Sequence, residues 1–230
     1  QIIECNLDGD EIEKELKTVE WDAEAAEKAG YEHFMIKEIH EQPKAVSDTL
    51  NSVVKDGAID LSEVGLSEEE IKEISQIYIV ACGSAYHVGV AAQYVMEDLA
   101  RIPVRVELAS EFRYRNPILD PKGLVIIISQ SGETADSLAA LRESKKQGVK
   151  TLGIVNVIGS SIAREADNVF YTLAGPEIAV ATTKAYSTQL MASYILAIQF
   201  AKVKNTITEE QYENYIAEVQ AIPEKIEKII

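Results

Sequence analysis

The chain has 230 residues, 47% hydrophobic and 26% charged, which is ordinary globular usage and excludes disordered and collagen-like classes. Its 22 Lys and Arg stand against 38 Asp and Glu, a net charge of −16 that repels nucleic-acid phosphates and anionic lipid. No nucleic acid and no membrane is therefore expected as a partner. No apolar run approaches the ~18 residues of a membrane helix. Gln1–Asp10 lacks the pattern of a signal peptide, so a cytoplasmic location is expected. Cys5 and Cys82 are far apart, and His33, His40 and His87 form no ligand motif. No metal and no cofactor is expected.

Residues 1–20 become polar after Ile2 and Ile3 and read as a linker or the tail of an upstream domain, with Asp8-Gly9-Asp10 as a turn. From Trp21 to Ile39, the residues Ala25, Ala29, Phe34, Met35 and Ile39 recur at helical spacing, with a break expected at Gly30. Pro43 is expected to end that helix and open another through Val46, Leu50 and Val53. Ser67 and Glu70 match a capping box and predict a short helix to about Ile74.

The pattern then changes. Gln76–Cys82, Val104–Leu108, Leu124–Ser129, Thr151–Val155 and Val169–Leu173 are short apolar, β-branched runs. Helical stretches lie between them at Tyr86–Leu99, Ala135–Gln147 and Ser161–Ala166. This alternation predicts an α/β fold, a three-layer αβα sandwich around a five-stranded parallel sheet. Pro103 suits the second strand to an edge, which gives the flavodoxin-like order 2-1-3-4-5. Extra N- and C-terminal helices flank this unit. One runs from about Thr183 to Lys202; another starts at the Thr208/Gln211 capping box and breaks at Pro223. The expected organisation is a linker at 1–20, N-terminal helices at 21–75, the α/β domain at 76–205 and a C-terminal helix at 206–230.

In such a sheet, ligands bind beyond the strand carboxyl ends where the order reverses, here between strands one and three. Strand one ends at Cys82-Gly83-Ser84-Ala85, and strand three at Ser129-Gln130-Ser131-Gly132-Glu133-Thr134. Both are small, hydroxyl-rich turns that lead into helices. Ser131 falls where an N-cap is expected. Free N–H groups at a helix start, together with three nearby hydroxyls, make an anion site. Cys82 reads as a small residue ending a strand, His87 as a helix-surface residue, and Glu133 as a first-turn carboxylate. Lys184 opens a helix, where its charge is unfavourable and calls for a carboxylate or anion partner. No dinucleotide fingerprint, P-loop or nucleophile elbow is present.

Ser129-Gln130-Ser131-Gly132-Glu133-Thr134 resembles the phosphosugar loop of sugar isomerase (SIS) domains, and Cys82-Gly83-Ser84 resembles their first loop. His33–Pro43 and Glu177–Tyr186 are similar to two signatures of the isomerase part of the glutamine–fructose-6-phosphate aminotransferase family. The resemblance covers residues from about 21 to 230. It implies that Ser129, Gln130, Ser131 and Thr134 hold the phosphate of fructose 6-phosphate or glucosamine 6-phosphate, and that Cys82, Gly83, Ser84 and the backbone near Val180 contact the sugar. Ala85 stands where the family commonly has a hydroxyl, and Thr182 where it has Ser. The family's enzymes also carry an N-terminal glutaminase domain and a second SIS domain that holds the catalytic groups. No catalytic residue is therefore expected in this stretch, which reads as the first SIS domain. A homodimer is expected. The alternatives are a stand-alone phosphosugar-binding regulator and a small sugar-phosphate isomerase.

Overall fold

A computed structural model describes residues 8–10 and 27–230. The expected linker at 1–20 is described only at Asp8–Asp10, which form a bend, and the start of the helix expected from Trp21 lies outside the described residues. The break at Gly30 is present: Ala29 and Gly30 both have positive φ, at 48° and 86°.

Helix α1 then runs without interruption from Phe34 to Val53, so the expected stop at Pro43 is corrected. Proline removes the N–H that would bond the Ile39 carbonyl. The Gln42 Nε2 donates to that carbonyl at 3.2 Å instead, and Gln42 Oε1 accepts from Ser187 Oγ at 2.6 Å. The neighbouring side chain thus replaces the missing backbone donor. The apolar pattern at the start of α1 also misleads. Met35 and Ile36 are exposed, while Lys37 and Glu38 are buried. Polar partners across the fold decide that face.

A two-residue antiparallel pair, β1 (Val54–Lys55) with β2 (Ala58–Ile59), follows and has no counterpart in the sequence reading. Ser67 and Glu70 close the predicted capping box on α2 (Glu68–Glu73). The α/β unit is β3 (Gln76–Ala81), α3 (Ser84–Ala100), β4 (Val104–Leu108), α4 (Ala109–Phe112), β5 (Gly123–Ser129), α5 (Ala135–Lys146), β6 (Lys150–Val155), α6 (Ser161–Glu165) and β7 (Asn168–Tyr171). The sheet is parallel throughout, in the order β4-β3-β5-β6-β7, as predicted. The single-turn helix α4 was not expected.

Alternate strand residues separate the two faces. Ile77, Ile79, Leu124, Ile126, Ile128, Leu152 and Ile154 point into one core with α1, α3, α7 (Lys184–Val203) and α8 (Glu209–Gln220). Tyr78, Val80, Val125 and Ile127 point into the other, with Phe112 of α4, Ala140 and Leu141 of α5, and Ile162 of α6. Burial on both faces is why β5 is apolar at nearly every position. α7 is sandwiched between α1 and α3, which accounts for the burial of most of its length. The chain ends in α9 (Ile222–Glu227), with Pro223 in its first turn, where proline costs no hydrogen bond. No helix of the described residues is long and apolar enough to cross a membrane.

Candidate functional site

Beyond the carboxyl ends of β3 and β5 lies a cleft of about 330 Å³. Cys82, Ser84, Ser129, Gln130, Ser131, Thr134 and Val180 all line it, together with Ala85, Ile128, Glu177, Ala179, Thr182 and Gln189. Gly83 does not contribute to its walls. It is the N-cap of α3, and its φ of 57° turns the chain between the two lining residues Cys82 and Ser84. The structure thus gathers the two loops chosen from topology and a third segment, Glu177–Thr182.

The β5–α5 loop is organised by its own hydroxyls. The Ser129 Oγ accepts the Gly132 N–H at 3.1 Å and lies 3.2 Å from the Thr134 Oγ1. The Ser131 Oγ accepts the Glu133 N–H at 3.2 Å. A hydroxyl that accepts a backbone N–H keeps its own proton to donate. Gly132 has a φ of 65°, and a Cβ placed there would lie 2.1 Å from the Ser160 Oγ, so only glycine fits this turn. That turn delays helix entry. The N-cap of α5 is Thr134, not Ser131 as expected, and its side chain makes no capping bond. The first helical hydrogen bond runs from the Leu138 N–H to the Thr134 carbonyl. The N–H groups of Ala135, Asp136 and Ser137 precede it. Glu133 is likewise not in a first turn of α5. It reaches over to accept the Ser161 N–H at 2.7 Å, and this bonding holds its carboxyl below the usual range.

α3 also opens without a side-chain cap. Two uncapped helix starts, each at a partial positive charge, therefore meet the cleft. α7 is different. The Glu177 carboxylate accepts from the Thr183 and Ala185 N–H groups, at 2.8 and 3.2 Å, and from the Thr182 Oγ1 at 3.0 Å. Glu177 is thus committed to holding that end. The Lys184 Nζ, 3% exposed, bonds the Glu41 Oε2 at 2.6 Å, which supplies the carboxylate partner that its position demanded. Lys37 Nζ stands 3.3 Å from the same carboxylate. Among the described residues, no lysine or arginine lines the cleft. What the described lining offers an anion is hydroxyls, amide N–H groups and helix dipoles.

The third wall is held from a distance. Glu38 Oε1 accepts the N–H groups of Ile178 and Ala179, at 2.6 and 3.1 Å. Asn156 ties the same connection to the β5–α5 loop. Its N–H donates to the Gln130 carbonyl at 3.2 Å, its Nδ2 donates to the Gly175 carbonyl at 2.7 Å, and its Oδ1 accepts the Ala174 N–H at 2.7 Å. Sequence reasoning missed Glu38, Asn156 and Gln189. Nothing local marks them, because their partners lie far along the chain. Cys82 has Ser137 Oγ 3.9 Å from its sulfur, and His87 is exposed on α3, stacked edge-on against Tyr86.

The sheet order and the cleft beyond the carboxyl ends of β3 and β5 define a doubly wound α/β domain of flavodoxin-like order. A family model described as the SIS domain matches residues 70–199, and the chain belongs to that family. Within it, the chain is 56% identical over 224 residues to the glutamine–fructose-6-phosphate aminotransferase (isomerizing) of Clostridium acetobutylicum, and 49% identical over 220 residues to that of Methanosarcina mazei. These alignments cover 97% and 95% of this chain but only 37% and 36% of the relatives. The chain therefore spans little more than a third of their length. The C-terminal domain of glucosamine-fructose-6-phosphate aminotransferase from Francisella tularensis superimposes with a TM-score of 0.82 at 46% identity, over 86% of this chain and 55% of that one.

Proposed function

We propose that this chain is the phosphosugar-binding first SIS domain of an enzyme that makes glucosamine 6-phosphate from fructose 6-phosphate and glutamine-derived ammonia. The observation that carries it is the convergence of the Ser129–Thr134 loop and two uncapped helix starts on one cleft. In this reading Ser129, Ser131 and Thr134 donate their hydroxyl protons to the phosphate, and the first-turn N–H groups of α5 add to them. Gln130 joins them at the phosphate, Cys82, Ser84 and the backbone at Val180 face the sugar, and Gly83 turns the chain between Cys82 and Ser84. Ala85 offers no hydroxyl.

The chemistry of amino transfer and isomerisation is assigned to the remainder of the longer protein, a glutaminase domain and a second SIS domain. Among the described residues, the one carboxylate lining the cleft, Glu177, is occupied by the start of α7. A homodimer and a cytoplasmic location belong to the same proposal, as does the division into N-terminal helices, SIS domain and C-terminal helix. The test is calorimetric titration of the chain with fructose 6-phosphate, glucosamine 6-phosphate and fructose. Binding of the two phosphorylated sugars without binding of fructose is expected, as is no formation of glucosamine 6-phosphate from fructose 6-phosphate by the chain alone. Turnover by the chain, or equal binding of fructose, overturns the reading.

A further inference from the structure

α7 buries five polar side chains: Lys184, Thr188, Gln189, Ser193 and Gln199. Four of them have side-chain hydrogen bonds. Lys184 reaches Glu41, Thr188 the Ala185 carbonyl, Ser193 the Gln189 carbonyl, and Gln199 accepts from the Tyr212 hydroxyl. Gln189 is different. It is 3% exposed and lines the cleft, and its carboxamide makes no hydrogen bond among the described residues. Neither polar atom of this amide is sealed from solvent, so the amide opens toward the cleft, where a bound ligand can pair it. A second amide of the same cleft lies deeper, with Gln130 Oε1 buried and without a partner.

The structure assigns Gln189, we propose, as a sugar-binding residue of the cleft, its carboxamide hydrogen-bonding the hydroxyl or carbonyl oxygens of a bound sugar phosphate. This rests on the phosphosugar reading above. A carboxamide offers one acceptor and two donors but no charge, so it suits a polyol, whose hydroxyls both donate and accept, better than a phosphate dianion. It also stands on α7, whose own N-terminus is already occupied by Glu177. The hydroxyls and open helix starts suited to an anion belong to the other two walls. Gln189 therefore adds a polar contact to the part of the cleft that holds the sugar.

The experiment compares the parent chain with Gln189→Met, an unbranched replacement of similar size, and Gln189→Asn, which keeps the amide but withdraws it. Fructose 6-phosphate and inorganic phosphate are titrated calorimetrically, and melting temperatures are recorded. Loss of one neutral hydrogen bond predicts about 2- to 13-fold weaker fructose 6-phosphate binding in both variants. Inorganic phosphate binding should be unchanged, and the melting temperature of Gln189→Met close to the parent's, because no side-chain hydrogen bond among the described residues is lost. Unchanged fructose 6-phosphate affinity overturns the assignment. So does a parallel loss of both ligands with a lowered melting temperature, which marks a structural role. If the parent itself binds neither ligand, the phosphosugar reading fails, and this assignment with it.

Discussion

The carboxylate of Glu38 accepts the backbone N–H of Ile178 at 2.6 Å across 140 residues of sequence. It ties the N-terminal helix α1 to the segment that carries Val180, whose side chain is fully exposed at the cleft edge. Hydrogen bonds to a charged acceptor contribute about 1.5–3 kcal/mol each. Glu38→Ala removes two and leaves two N–H groups to find water, so a loss of about 3 kcal/mol or more is expected on urea unfolding. Glu38→Gln keeps an acceptor oxygen and should lose less. Hydrogen exchange at Ile178 and Ala179 should accelerate in the Ala variant and much less in the Gln variant. Equal protection in all three chains would show that the carboxylate does not hold this segment.

The β5–α5 loop, Ser129–Thr134, offers a cleaner separation of its proposed phosphate role from its role in the fold. Thr134 is the N-cap of α5, but its hydroxyl does no capping and meets only the Ser129 hydroxyl within the described residues, so Thr134→Val removes a donor and leaves the loop's backbone hydrogen bonds in place. Ser129→Ala also frees the Gly132 N–H and should loosen the turn. At about 1.5–3 kcal/mol for a hydrogen bond to a charged group, each substitution should weaken fructose 6-phosphate binding about 10- to 150-fold. Ser129→Ala alone should also lower the melting temperature. Calorimetry showing both variants binding as tightly as the parent would remove this loop from the phosphate site.

The pair formed by Lys184 and Glu41 is asymmetric. Lys184 is 3% exposed, whereas Glu41 is 30% exposed and keeps Lys37 as a second partner. Removing one member of a buried pair costs most when the other is left charged, unpaired and away from water, about 3–5 kcal/mol. Glu41→Ala should approach that cost. Lys184→Met should cost distinctly less, because it removes the buried charge and leaves Glu41 paired. Chemical denaturation of both variants checks the order, and a reversed order would contradict the geometry.

Acid sensitivity should trace in part to Asp167. Burial pushes its carboxyl up, but hydrogen bonds from Lys145 Nζ and from the Thr151 hydroxyl and N–H outweigh this and leave it below its ordinary value. A carboxyl depressed on folding stabilises the fold above its unfolded pKa, about 3.9 for Asp, and that contribution is lost as pH falls through the lower folded value. The melting temperature of the parent should therefore hold this contribution down to about pH 5 and shed it below about pH 4. Asp167→Asn should start lower at neutral pH, and its deficit should narrow as the pH is taken below about 4. A deficit that stays constant with pH would exclude the carboxylate as its source.

What the sequence settled alone is what short-range rules govern. Apolar runs such as Leu124–Ser129 made the strands, the Ser67/Glu70 and Thr208/Gln211 boxes fixed two helix starts, and Pro103 marked an edge strand. The position of the cleft followed from strand order, because α/β sheets leave their crevice where that order reverses. The tertiary structure decided the rest, where a residue's partner is distant in the chain. Pro43 stays inside α1 because Gln42 replaces its donor. Lys37 and Glu38 are buried in place of Met35 and Ile36. Thr134 caps α5 because Gly132, crowded by Ser160, turns the loop first. Gln189 enters the cleft because α7 is packed between α1 and α3. Hydrophobic periodicity records which face of an element is apolar, but not which charged or amide group finds a partner across the fold.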